Sequence, residues 1–306
     1  MSAVSPVSRI VRKRTQLLAK LRNEARRQSV TVENIQHQFA FDMFLTRLFA
    51  HDDCVWVLKG GTSLLLRIGS GRRSRDIDLA RREQVPPAEA LRELQALVDE
   101  PGPTDPDFTF ELQEPARDNQ DPMDRTRGSF KVILRSGAQQ VVSFSVDIST
   151  QQHLDAPIDS VTINPVIEYE GLPSGAVIRM VPVENVAADK LCACYELHGA
   201  EPSTRYHDLI DLVRIVTSQS IDAKLLQTLM TKEATHRGLD LPKEMISPGP
   251  QWSQACPKQA RQAADFPMEY HDLATALGVV GGCLNPLLSA SIVAGVWNPQ
   301  KQRWES

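Results

Sequence analysis

Cysteine is scarce and shows no pattern. The chain has five (Cys54, Cys192, Cys194, Cys256 and Cys283), an odd number with no repeated C-x-x-C. This excludes a disulfide framework and a four-thiolate zinc site, and leaves free thiols in a reducing cytoplasm as the expectation. Charge of one sign is also lacking: 34 Lys and Arg against 38 Asp and Glu give a net −4. A uniformly basic nucleic-acid coat is excluded, whereas a local basic patch is not. The first 30 residues are basic and contain no apolar segment of the secretory type. No apolar run is long enough to span a bilayer. Leu273 to Gln300 carries no charge, but Gly278, Gly281, Gly282, Asn285, Pro286 and Gly295 interrupt it, so two short core helices are expected there and no membrane anchor. Internal repeats are absent. There is no G-x-x-x-x-G-K-[ST], and Gly69-x-Gly71 lacks the third glycine of a dinucleotide fingerprint, so neither phosphate-binding motif applies.

What is present is an ordinary globular composition, 42% apolar and 24% charged over 306 residues. That length suits one elaborated domain or two packed ones, with enough buried surface to need no staple. Residues 8–27 read as an amphipathic helix with a basic face, holding Arg9, Arg12, Lys13, Arg14, Lys20, Arg22, Arg26 and Arg27 against the single acid Glu24. A second helix, largely buried, begins after Thr31. Val55–Leu58 then reads as a buried strand stopped by Gly60-Gly61, with a helix over Thr62–Ile68, a loop over 69–75 and a strand over Asp76–Ala80. Residues 101–128 suggest a surface excursion around a strand near Phe108–Leu112. Phe130–Leu134 and Val141–Ile148 alternate around Ser136-Gly137 as a hairpin, and further strands are expected near Val161–Ile167 and Ala176–Val181. From Val183 the helical period dominates. The expected organisation is a first domain over 1–183 and a helical domain over 184–306.

The chemistry concentrates around Asp76-Ile77-Asp78. Side chains two apart on a strand share a face, and two carboxylates held that way repel unless a cation lies between them. Mg²⁺ binds through one or two such carboxylates with phosphate oxygens and water. Asp147, in Val146-Asp147-Ile148, would complete a metal set if its strand lies beside the first. The alternative is that D-x-D marks only the polar face of an edge strand. Upstream, Lys59-Gly60-Gly61-Thr62 stands between strand and helix, where bare backbone N–H groups would approach a phosphate closely. Arg67, Arg72, Arg73, Arg75, Arg81 and Arg82 crowd the same stretch and suit a polyphosphate, or else pair internally. In the helical half, Lys190 falls on the apolar stripe of Val186, Leu191 and Cys194 and therefore needs an anionic partner. Asp208 and Asp211, one turn apart on the next helix with Arg205 three residues before Asp208, supply candidates. An ion pair tying two helices and a functional role are both open.

The ordered segments Lys59-Gly60-Gly61-Thr62-Ser63-Leu64, Arg72-Arg73-Ser74-Arg75-Asp76-Ile77-Asp78-Leu79, Val146-Asp147-Ile148-Ser149, Val186-Ala187-Ala188-Asp189-Lys190-Leu191 and Arg205-x-x-Asp208-Leu209-Ile210-Asp211-Leu212 resemble the motifs of the AbiEii/AbiGii toxin family. These are nucleotidyltransferases of the DNA polymerase β-like superfamily, with the MenT toxins as a tRNA-modifying branch. The likeness spans residues 55–215. Arg73 departs from the apolar or aromatic residue usual before the serine, and the excursion at 101–128 is long.

The resemblance implies an α+β fold, a mixed sheet with flanking helices followed by a mostly helical half that completes the active-site cleft. It implies a Mg²⁺-dependent toxin that moves a nucleoside monophosphate from an NTP to RNA, at the tRNA 3′ end in the MenT branch, and is neutralised by an antitoxin. Asp76, Asp78 and Asp147 would hold one or two ions. Lys190, Asp208 and Asp211 would join them as catalytic residues, and Lys59, Gly60, Gly61, Thr62, Arg72, Ser74 and Arg205 would contact nucleotide. Two other readings stay open: a nucleotide- or RNA-binding module without turnover, and transfer to a small molecule or protein.

Overall fold

A computed structural model describes residues 6–69, 75–114, 127–150, 154, 156–263 and 265–306. The chain divides near Met180 into two compact units. The first opens with helices α1 (Pro6–Arg27) and α2 (Val32–Leu48), then β1 (Val57–Lys59), α3 (Gly60–Ile68), β2 (Asp76–Ala80) and α4 (Pro87–Asp99). It closes with β3 (Phe108–Gln113), β4 (Arg127–Ser136), β5 (Gln139–Ser149), β6 (Asp159–Ile163) and β7 (Ala176–Met180). The seven strands form one mixed sheet in the order β3-β4-β5-β2-β1-β7-β6. The β2–β5 and β1–β7 pairs are parallel and the others antiparallel.

The sheet is two-faced because its central strands alternate. Ile77, Leu79, Val146 and Ile148 are buried on one side, whereas Asp76, Asp78 and Asp147 are half-exposed on the other. Helix α2 covers the apolar side. Thr31 caps it, its hydroxyl accepting from the Asn34 N–H at 3.2 Å. Its Phe41 and Phe44 meet Phe144 edge-on, and Phe39 meets Phe108 and Tyr169 in the same way. Offset and edge-on pairs of this kind contribute about 0.5–1.5 kcal/mol each beyond the area they bury. Helix α1 docks through Leu17, Leu21 and Ala25 and is tied down by Lys13, whose ammonium reaches Asp105 at 3.0 Å and Asp107 at 2.8 Å. Helix α4, not anticipated from the sequence, buries Ala90, Leu94 and Val98, one residue per turn behind the N-terminal Pro86-Pro87.

The second unit holds α5 (Val183–Tyr195), the short strands β8 (Leu197–His198) and β9 (Glu201–Pro202), α6 (Tyr206–Ser218) and β10 (Ile221–Asp222). Then come α7 (Ala223–Arg237), α8 (Trp252–Gln262), α9 (Leu273–Leu288), β11 (Val296–Asn298) and β12 (Arg303–Glu305). The charge-free stretch forms one helix instead of the two expected. Leu273, Ala276, Val280, Leu284 and Leu287 keep a continuous buried stripe through its glycines, and Pro286 falls only in the final turn. The end of the chain is not helical. β10, β11 and β12 form a small antiparallel sheet in which Trp297 stacks edge-on against Trp304. No helix among the described residues is long and apolar enough to cross a membrane. All five cysteines are buried and free.

Candidate active site

Asp78 stands at the centre of a rung that runs across the sheet. It is in register with Lys59 on the antiparallel β1 and with Asp147 on the parallel β5. Cα atoms of such neighbours lie about 4.8 Å apart with side chains on one face. Asp76, one rung along, is in register with Ser145. Asp147 is thus drawn beside Asp76 and Asp78 from about 70 residues away, because β5 inserts next to β2.

The glycine turn closes over the same carboxylate. Gly60 adopts φ +67°, the left-handed region that favours glycine. A Cβ there would fall 2.0 Å from Asp78 Oδ2 and 2.7 Å from its Cγ, so only a residue without a side chain fits. Helix α3 begins at Gly60, and its first backbone N–H groups lack helical acceptors, a preformed environment for an anion. Hydroxyls brace the turn. Thr62 Oγ1 donates to the Asp76 carbonyl at 2.7 Å and Ser63 Oγ donates to the Gly60 carbonyl at 2.8 Å. Lys59 Nζ donates to Ser149 Oγ at 3.0 Å, on the same side of the sheet. Ser149 was not singled out from the sequence, although the alternation Ser143-Phe144-Ser145-Val146-Asp147-Ile148-Ser149 marks a polar face with Asp147 in it.

Mg²⁺ needs only one or two protein carboxylates when water and phosphate oxygens fill its remaining positions. Asp78 and Asp147, adjacent in register on the open face and beside the Gly60 cradle, suit that requirement. Among the described residues, no three His, Cys, Asp or Glu side chains are placed to enclose an ion by themselves.

For three of the arginines the internal-pairing alternative holds. Arg67 pairs with Asp159 at 2.8 Å. Arg81 is buried against Glu93 at 2.7 Å with its guanidinium 5.4 Å from the Trp56 ring centre, and Arg82 donates to the Leu154 carbonyl at 2.7 Å. These three are held by partners other than the carboxylate set. Arg75 is exposed just before β2. Arg72, Arg73 and Ser74 lie outside the described residues.

In the second unit, Lys190 Nζ sits between two carboxylates, 3.0 Å from Asp208 Oδ1 and 2.6 Å from Asp211 Oδ2. The other Asp208 oxygen accepts from Arg205 Nε at 2.7 Å. Lys190 is 6% exposed, as its place on the apolar stripe required. Burial pulls its pKa down, but Asp211 and Asp208 outweigh that and hold it above the ordinary lysine value. Burial likewise pushes Asp208 up, and Lys190 with Arg205 reverses this and leaves it low. The signs define a window. The Asp208 contribution to stability is complete above its ordinary 3.8 and is lost as pH falls through the lower folded value. The Lys190 contribution is complete below 10.5 and is lost as pH rises through the higher folded value. Removing Lys190 leaves two buried carboxylates facing each other, so Lys190→Ala is expected to cost about 3–5 kcal/mol at neutral pH. Urea unfolding monitored at the tryptophans reads this, and an unchanged midpoint would contradict the coupling.

A mixed sheet with two acidic strands side by side, next to a glycine turn that opens a helix, is the architecture of a nucleotidyltransferase. Over residues 44–276 the chain matches the family described as "Nucleotidyl transferase AbiEii toxin, Type IV TA system". The chain belongs to that family, the nucleotidyltransferase toxins of type IV toxin–antitoxin systems. Among solved structures it resembles MenT4, a nucleotidyltransferase toxin of Mycobacterium tuberculosis, at 20% identity and TM-score 0.50 over 70% of this chain and 68% of that one. It also resembles JHP933 of Helicobacter pylori, at 18% identity and TM-score 0.46 over 85% and 95%. No curated protein matches the chain.

Proposed function

We propose that this chain transfers a nucleoside monophosphate from an NTP to the 3′-terminal hydroxyl of tRNA, releasing pyrophosphate and blocking translation. One observation carries the reading: Asp78 and Asp147 are in register on neighbouring strands, with Gly60 packed under the Asp78 carboxylate. The acceptor oxygen bonds to the α-phosphorus as the bond to the pyrophosphate oxygen breaks, and the hydroxyl proton passes to Asp147. The Gly60-Gly61 turn, with Thr62, presents backbone N–H groups to the triphosphate, and Lys59 adds positive charge on that side. Asp78 and Asp147, with Asp76 one rung along, would hold Mg²⁺ together with phosphate oxygens and water, and the ion would supply charge neutralisation at the phosphates. Within the second unit, Asp208 and Asp211 orient Lys190, and Arg205 beside them is the exposed cation proposed to meet nucleotide. The acceptor class draws on α1, where Arg12, Arg22 and Arg26 are exposed and have no ion-pair partner among the described residues. A tRNA acceptor places the protein in the cytoplasm, and the family implies an antitoxin partner.

Incubating the purified chain with each labelled NTP, Mg²⁺ and a tRNA pool tests this. Label in tRNA that a 3′ exonuclease removes is the expected result. Label confined to protein or to small molecules, or RNA retained without covalent label, contradicts it.

A further inference from the structure

The order of elements across the open face of the sheet gives the reaction a direction. The Gly60-Gly61 turn lies at β1, Asp76 and Asp78 on β2, Asp147 on β5, and β4 comes next. Attacking and leaving oxygens stand roughly in line on opposite sides of the phosphorus. With the triphosphate held at the β1 side, the acceptor must approach from the β4 side. There the odd-numbered residues face outward: Arg127 is in register with Ser149, Ser129 with Asp147 and Lys131 with Ser145. The intervening Gly128, Phe130 and Val132 are buried, whereas Arg127 and Lys131 are exposed. The two cations therefore bracket the Asp147 rung about 13 Å apart along the strand. Lys131 forms no ion pair among the described residues. Its register partner on β3 is Gln113, and the acid of that strand, Glu111, is hydrogen-bonded by Arg135 at 2.7 Å and feels Lys131 only as a weaker, more distant charge.

We infer that the outward row Arg127-Ser129-Lys131 on β4 is the acceptor subsite, gripping the phosphate backbone of the incoming nucleic-acid strand beside Asp147. This rests on the nucleotidyl-transfer reading above and adds to it the surface on which the acceptor lies. Cations spaced along a strand beside the proposed base suit a polyanion that runs past the reacting hydroxyl, which a small neutral acceptor would not need.

The test uses the full chain as wild type, Lys131→Glu, Arg127→Glu and Lys131→Arg, with tRNA and labelled NTP. The charge reversals are expected to raise KM for tRNA roughly tenfold each and to leave KM for NTP unchanged. The slope of log affinity for tRNA against log salt is expected to fall by about 1 per lost contact. Lys131→Arg should retain the wild-type KM. Equal KM and equal salt slope in wild type and both reversals, with wild type still labelling tRNA, would overturn the subsite and leave the transfer reading standing. Failure of wild type to label any RNA would overturn both.

Discussion

Asp78→Asn and Asp147→Asn are each expected to lower nucleotidyl transfer by at least about 100-fold, the scale of losing one charge-stabilising group at a phosphoryl centre. The substitution keeps side-chain shape and removes one negative charge. The two carboxylates are neighbours on one rung, so relief of their repulsion offsets what the fold loses, and stability should stay within about 1 kcal/mol of wild type. Activity and stability are thereby separated. Unfolding by urea and transfer of labelled nucleotide, measured on the same preparations, check both halves. Full activity in either variant would remove that carboxylate from the chemistry.

Gly60→Ala should have an effect of similar size by another route. The left-handed φ of +67° costs a residue with a Cβ roughly 1–2 kcal/mol. The new methyl would also fall 2.0 Å from Asp78 Oδ2, so either the turn or the carboxylate must move. A displacement of about 1 Å at a reacting centre costs on the order of 100-fold in rate. The expected signature is a fall in kcat together with weaker NTP binding and a loss of about 1–3 kcal/mol in unfolding. By contrast, Gly278→Ala in α9, where an added Cβ meets nothing within 4 Å, is expected to stabilise by up to about 1 kcal/mol without touching transfer. A Gly60→Ala protein with wild-type kinetics would show that the close contact with Asp78 is incidental.

Local pattern exposed much of the candidate site, but long-range pairing did not. The Asp76–Ala80 strand, the Gly60-Gly61 stop and the hairpin around Gly137 follow from periodicity and turn residues, which act over a few positions. The Asp78–Asp147 register depends on β5 entering beside β2 in parallel, a tertiary choice that no short window contains. The choice between phosphate binding and internal pairing, open for each arginine in the sequence, turns on the same long-range contacts. For Arg81 the internal alternative holds, because Glu93 and Trp56, distant along the chain, claim its guanidinium. Lys190 was legible as a charge on an apolar stripe, and so was its need for an anion. That it takes both Asp208 and Asp211 followed only from how α5 and α6 pack. The terminal β10-β11-β12 sheet was missed because its strands are two or three residues long, too short for a period to register.

The most direct measurement is simultaneous quantification of labelled nucleotide incorporated into tRNA and of pyrophosphate released, by wild type and by Asp147→Asn, across the four NTPs. One pyrophosphate per nucleotide added is expected from wild type with at least one NTP, and neither product above background from the correctly folded Asp147→Asn protein. Pyrophosphate and incorporation undiminished in Asp147→Asn, or absent from wild type with every NTP, would contradict that expectation.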